Sequence, residues 1–121
     1  MGDFKKLQVW VDAKNLAVHI YSISKEGAMS RDFGLRDQIR RSAVSIASNI
    51  AEGEESGRSK KSINYFYISR GSLAELETQV LIAQSINYLT ENESIDLLEK
   101  IDILSRRLRR LIQFREKDII G

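Results

Sequence analysis

The chain has 121 residues, the length of a single domain, and it contains no cysteine, no proline and one histidine. The lack of cysteine excludes disulfide scaffolds, thiolate metal sites and cysteine nucleophiles, and one histidine excludes any site that needs two imidazole groups. Apolar residues make up 42% of the chain and charged residues 30%. Because no proline interrupts any stretch, this composition predicts an ordered, mostly helical protein.

The formal net charge is only +2, but the charge is unevenly distributed. The segment from residue 106 to residue 117 is strongly basic, with Glu116 as its one acidic residue. Its basic residues are Arg106, Arg107, Arg109, Arg110, Arg115 and Lys117. A local cluster of this kind permits a nucleic-acid partner without demanding one.

The first predicted helix spans residues 3–25. At 100° per residue, one side of this helix is apolar and is predicted to be buried. That side carries Phe4, Leu7, Val11, Val18 and Tyr21, flanked by Trp10 and Ala17. His19 lies on the opposite side and is predicted to face solvent rather than to bind a ligand.

The second predicted helix spans residues 31–55. The preceding residues 26–29 form a break, since Gly27 suits the end of the first helix, and Ser30 is the predicted N-cap. The buried row of the second helix has spacings of four and three. Its members are Leu35, Ile39, Ala43, Ile46 and Ile50.

The third and fourth predicted helices span residues 60–88 and 91–117. Thr90 and Glu93 form a predicted capping box at the start of the fourth. The buried row of the third helix is Phe66, Ser69, Leu73, Leu76, Val80 and Ala83; that of the fourth is Leu97, Ile101, Leu104, Leu108 and Leu111. These patterns predict an all-α fold, an antiparallel up-down four-helix bundle, with residues 1–121 as one domain.

Two helices carry more apolar residues than one buried stripe requires. A helix that is apolar on opposite sides is usually buried on both, which predicts a homo-oligomer. The candidate interface residues are Val44, Ala47 and Ala51 on the second helix, with Ile68, Gly71, Ile82 and Ile86 on the third. A broad bundle core that absorbs these residues is the alternative.

Sequence patterns for catalysis or cofactor binding are missing. The chain lacks the paired histidines of a carboxylate-bridged metal centre and the glycine-rich loops that hold phosphates. Ser22 and Lys25 have the spacing of a serine–lysine pair, but the partner motifs are absent. We therefore predict no enzyme activity, no cofactor and no metal.

The chain also lacks the apolar block of a secretory signal and any run long enough to cross a bilayer, so we expect a cytoplasmic protein.

The C-terminal arginines allow two interpretations. An outward cluster on a rigid helix can contact several phosphates. The same helix has acidic residues early and basic residues late, an arrangement that complements the helix dipole, and the arginines can also pair with acids of a neighbouring subunit. The residues alone favour neither interpretation.

Three segments of the chain resemble one known family. They read LQVWVDAKNLAVHIY at residues 7–21, FGLRDQIRRSAVSIASNIAEG at residues 33–53 and ISRGSLAELETQVLIAQ at residues 68–84. Together they resemble the four-helix-bundle family of 23S rRNA intervening-sequence proteins, whose members often carry a ribosomal-protein label. A related branch of this family looks like the accessory protein of diversity-generating retroelements.

The resemblance implies a homo-oligomeric ring, typically a pentamer, without enzyme activity. It also matches Arg40 and Arg41 to the family's arginine pair, and Asn49 and Glu52 to its polar block. We therefore predict a protein that binds structured RNA or DNA through its basic helix ends, with Arg40 and Arg41 as further candidate contacts. The alternative is an interaction scaffold for a partner protein such as a reverse transcriptase.

Overall fold

A computed structural model describes residues 3–120 of the chain. A 3-10 helix at Phe4–Lys6 precedes five α-helices: α1 (Gln8–Ser24), α2 (Gly27–Arg31), α3 (Phe33–Glu55), α4 (Lys60–Ser85) and α5 (Glu91–Ile120). No strand occurs within residues 3–120. The predicted all-α class is confirmed, and the four long helices correspond to the four that the sequence predicts.

The four long helices form an antiparallel bundle in which α1 packs on α3 and α5, and α4 packs on α3 and α5. The pairing between α1 and α5 shows the opposed directions. Asp12 near the start of α1 contacts Arg107 late in α5, whereas His19 further along α1 contacts Lys100, earlier in α5. The end of the bundle where α1 begins is therefore the end where α5 finishes.

A single apolar core runs between the helices, and it confirms most of the predicted rows. All six residues predicted for the third helix are buried, as are four of five in the second and in the fourth. Leu35 and Leu111 are only half-buried, and Ile112 is buried beside Leu111.

The predicted buried side of the first helix is wrong. The core residues of α1 are Val9, Ala13, Leu16, Ile20 and Ser24. Val18 and Tyr21, predicted to be buried, are 59% and 45% exposed. Both sides of α1 carry an apolar row with helical spacing, so periodicity alone does not identify the row that faces the bundle. His19 is half-buried between α1 and α5 rather than on a solvent-facing side.

The connection between the first two long helices also differs from the prediction. The short helix α2 occupies the expected break, and the Ser30 hydroxyl donates to the Gly27 carbonyl inside it. Asp32 is the N-cap of α3, because its carboxylate accepts from the Leu35 backbone N–H. The predicted Ser30 cap is therefore wrong, although Gly27, with a φ of 66°, does lie at the break.

Local capping hydrogen bonds determine where α4 ends and where α5 begins. Asn87 has a φ of 64°, and the Tyr88 N–H reaches back to the Ala83 carbonyl, so α4 ends before the predicted residue 88. The predicted capping box is confirmed: the Glu93 N–H donates to Thr90 Oγ1 and the Thr90 N–H donates to the Glu93 carboxylate.

Small residues let α3 and α4 approach closely. The Ser69 hydroxyl donates to the Ile46 carbonyl at 2.8 Å, and the Ser62 hydroxyl donates to the Gly53 carbonyl at 2.7 Å. The ring of Phe66 lies directly against Gly53, where it occupies the space that a Cβ atom would need. This contact fixes the C-terminal half of α3 beside the N-terminal half of α4.

Candidate nucleic-acid interface

The C-terminal turns of α5 lie at one end of the bundle, beside residues of α4 and of the connection between α3 and α4. Arg58, in the connection between α3 and α4, pairs with Asp118 at 3.0 Å. The Tyr67 hydroxyl of α4 donates to the Glu116 carboxylate at 2.9 Å. Lys60, at the start of α4, lines a small surface hollow together with Glu116. These contacts bring basic residues that are distant in sequence to the same end of the bundle.

Two arginines of the predicted cluster lie in surface ion pairs. Arg106 contacts Asp102 one turn earlier in α5 at 3.0 Å, and Arg107 contacts Asp12 of α1. Their side chains remain 55% and 45% exposed. Exposed pairs of this kind contribute about 0–1 kcal/mol to stability, so both guanidinium groups stay accessible to another anion.

Arg115 has a different environment from the rest of the cluster. It pairs with Glu54 of α3 at 2.8 Å, and the two side chains are only 14% and 12% exposed. Its guanidinium also lies 5.7 Å from the centre of the Phe66 ring. Arg115 therefore joins α5 to α3 and α4, and its charge is compensated inside the protein.

Arg109, Arg110 and Lys117 are exposed along α5. Exposed basic residues of other segments lie at the same end of the bundle: Lys5 and Lys6 in the 3-10 helix, which packs on α1 and α3, Arg58 in the loop, and Lys60 and Lys61 at the start of α4. We call these eight residues the basic end. Sequence periodicity places the α5 residues outside the core, but the contribution of the other segments depends on the fold.

The structure places Arg40 and Arg41 away from the basic end, near the C-terminal end of α1. The Arg40 guanidinium donates to the Ser24 hydroxyl at 2.8 Å and lies over the Tyr21 ring at 4.6 Å, so it joins α1 to α3. Arg41 is exposed and lines a shallow hollow beside Asp37. The two predicted sets of basic contacts therefore form no continuous surface.

Within residues 3–120, the predicted interface residues lie on two apolar surfaces outside the core. The first is a groove of about 560 Å³ between α1 and α3. Its apolar lining consists of Trp10, Ala17, Val18, Tyr21, Val44, Ala47 and Ala51, and we call it the α1/α3 groove. The sequence predicts the three α3 residues as interface residues, whereas it places the α1 residues on or beside the buried side of their helix.

The second surface is the outer side of α4, which we call the α4 face. It contains the predicted interface residues Ile68, Gly71, Ile82 and Ile86, and its three isoleucines are 46–47% exposed. The α4 face shares no residue with the α1/α3 groove. The structure therefore places the seven predicted interface residues on two separate surfaces.

One histidine lies at the contact between α1 and α5. Lys100 Nζ donates to His19 Nδ1 at 3.1 Å, and Asp96 lies 3.8 Å from the same nitrogen. Burial lowers the pKa of His19 below its ordinary value, and the Lys100 charge lowers it further against the opposing effect of Asp96. In residues 3–120 no group of three His, Cys, Asp or Glu side chains is arranged to hold a metal ion.

None of the helices described here is both long and apolar enough to span a membrane.

No curated protein matches the chain. A solved structure is similar in fold: a protein of unknown function from the S23 ribosomal protein family of Bacteroides thetaiotaomicron VPI-5482. It has a TM-score of 0.80 and 23% sequence identity, over 87% of this chain and 95% of that chain. The model of the 23S rRNA-intervening sequence protein family matches residues 5–110. The chain therefore belongs to the family of 23S rRNA-intervening sequence proteins.

Proposed function

We propose that this protein is a non-enzymatic, homo-oligomeric bundle of the cytoplasm that binds RNA or DNA through its basic end. The observation that carries the proposal is the convergence of exposed basic residues from four segments of the chain on one end of the bundle. A rigid surface with several spaced cations neutralises several phosphates at once and displaces the counterions around them.

The ion pairs of α5 support different roles for its arginines. Arg115 has a structural role, because its pair with Glu54 is largely withdrawn from solvent. Arg109, Arg110 and Lys117 are the proposed phosphate contacts. Arg106 and Arg107 border this surface, where a phosphate can compete with the carboxylates of Asp102 and Asp12 for the exposed guanidinium groups.

The two apolar surfaces support self-association. A groove on one side of a subunit and a separate apolar face elsewhere suit a head-to-tail contact, in which the α4 face of one copy occupies the α1/α3 groove of the next. Contacts of this heterologous kind close into rings when the rotation between subunits permits. A ring would place several copies of the basic end in one assembly and raise the avidity for a long nucleic acid.

Fluorescence anisotropy with a labelled structured RNA and a DNA duplex, each measured across a salt series, tests the nucleic-acid proposal. The double variant Arg109→Ala/Arg110→Ala should weaken binding. It should also reduce the slope of the logarithm of the binding constant against the logarithm of salt concentration by about the contribution of two phosphate contacts. The control, Lys25→Ala/Arg31→Ala, removes the same charge from exposed residues near the other end of the bundle and should bind like the wild type. Equal losses in the two double variants would indicate nonspecific attraction by net charge and would contradict the proposal.

A further inference from the structure

The last turns of α5 carry an exposed aromatic residue among basic ones. Phe114 is 62% exposed. Arg110 precedes it by four residues and Lys117 follows it by three, so both lie next to it on the helix surface. Arg107 lies one further turn back on the same side. These four residues form a solvent-facing row, which we call the Phe114 row.

Acidic residues near the Phe114 row are paired: Asp12 of α1 contacts Arg107 at the start of the row, and two more lie closer to the ring. Glu116 points toward α4, where it accepts the hydrogen bond from Tyr67. Asp118 lies one turn beyond Phe114 and is paired with Arg58, whose own side chain is 73% exposed. The surroundings of the exposed ring are therefore positive, which favours a polyanion over an acidic or neutral helix as the occupant.

We propose that Phe114 is a stacking platform for an unpaired base, with Arg110 and Lys117 holding the phosphates on either side of that base. This inference rests on the proposed function and specifies its ligand as a single-stranded segment, such as a loop of a structured RNA or a displaced DNA strand. A ring that projects from a convex helix stacks only on a base whose face is open, and duplex bases are covered by their neighbours.

The family model matches the chain up to residue 110, so Arg107 and Arg110 of the row lie within the match and Phe114 and Lys117 lie beyond it. Phe114 and Lys117 lie on the extension of α5 that follows the matched residues. The extension is tied to the bundle through Arg115 and Glu54, so the ring is presented on an ordered helix. A preordered platform loses little conformational entropy when a base stacks on it.

The test compares a labelled 12-nucleotide RNA without self-complementarity, the DNA strand of the same sequence, and the corresponding DNA duplex, all at one salt concentration. Phe114→Ala should lower the affinity for both single strands about tenfold or more and leave the affinity for the duplex unchanged. Phe114→Trp should retain single-strand binding. Ile95→Ala is the matched control, because Ile95 is a 55% exposed apolar residue of the same helix, flanked by acidic residues, and the change should affect neither ligand.

The outcomes distinguish this inference from the proposed function. If the wild type binds none of the three nucleic acids, the proposed function fails and the inference fails with it. If the wild type binds and Phe114→Ala weakens duplex and single strands equally or not at all, only the stacking inference is overturned. A change in subunit number on Phe114→Ala, measured by light scattering, overturns it as well by making Phe114 a contact between copies of the chain.

Discussion

The contact between Gly53 and Phe66 gives a sharp test of the packing between α3 and α4. A Cβ atom added at Gly53 would lie 2.6 Å from Cε1 and 2.8 Å from Cδ1 of the Phe66 ring. Ordinary carbon–carbon contact needs about 3.5 Å, so the ring would have to move by about 1 Å. Phe66 has no exposed surface into which it could move.

Two opposing terms set the effect of Gly53→Ala on the free energy of unfolding. Overpacking a well-filled core costs about 1–3 kcal/mol, and the fully buried ring indicates the upper end of this range. Alanine gains about 1 kcal/mol over glycine inside a helix. We expect a net loss of about 2 kcal/mol, which lowers the Tm by about 5–10 °C in a chain of this size.

Thermal unfolding followed by circular dichroism measures this loss. Gly34→Ala is the control in the same helix, because its Cβ would meet only Asp32 Oδ1 at 3.7 Å, an ordinary contact. Its Tm should stay the same or rise slightly. If Gly53→Ala also raises the Tm, the ring does not fill the space against α3 and the close approach of the two helices is wrong.

A double variant identifies the ring as the cause. Phe66→Leu removes the ring atoms that meet the new Cβ and is destabilising on its own through the cavity it leaves. In that background Gly53→Ala should cost less than in the wild type, which gives a favourable coupling between the two sites. The same loss in both backgrounds would assign the effect to the backbone of α3 instead.

Three further predictions concern the ion pair, the histidine and the assembly. Arg115→Gln should lower the free energy of unfolding in urea by about 2–3 kcal/mol, because it leaves the largely buried Glu54 carboxylate unpaired. A stability equal to that of the wild type would contradict the structural role of Arg115 and make it a candidate phosphate contact again. Since the folded protein lowers the pKa of His19 below 6.5, the unfolded chain binds the proton first, and stability should fall as the pH drops from 7.5 to 5.5. His19→Gln should reduce that dependence, and an equal slope in both proteins would contradict it. Val44→Glu and Ile82→Glu should each abolish self-association in sedimentation experiments while their 1:1 mixture forms a heterodimer, because each retains one intact apolar surface; a mixture that stays monomeric would refute the head-to-tail contact.

The sequence predicts most of the fold, and its errors have physical causes. The row of α5 is correct in most positions because that helix has one clearly apolar side, and the rows of α3 and α4 are correct because the spacing of four and three continues along the helix on one side only. The row of α1 is wrong because the helix is apolar on two sides, and only the positions of α3 and α5 decide which side is covered. The cap of α3 is misplaced by two residues because Ser30 and Asp32 are both good capping residues.

The candidate site is less predictable than the fold because it depends on contacts between distant segments. The sequence identifies the arginines of α5 but cannot separate Arg115, whose partner Glu54 lies more than sixty residues away in the chain. It also gives no sign that Lys60 and Lys61 join the same surface, since that requires the register between α4 and α5. Local periodicity carries no information about either relation.

The extension of α5 connects the structural and the proposed binding roles of this end of the molecule. Alternating sides of one helix serve the two purposes: Arg115 faces inward and joins three helices, while Phe114 faces solvent beside Arg110 and Lys117. The inward pair anchors the turn that presents the outward ring. Loss of the Arg115 pair should therefore weaken nucleic-acid binding indirectly, in proportion to fraying of the last turns of α5, whereas loss of Phe114 should weaken it with the helix intact. Helical content measured beside affinity separates the two effects.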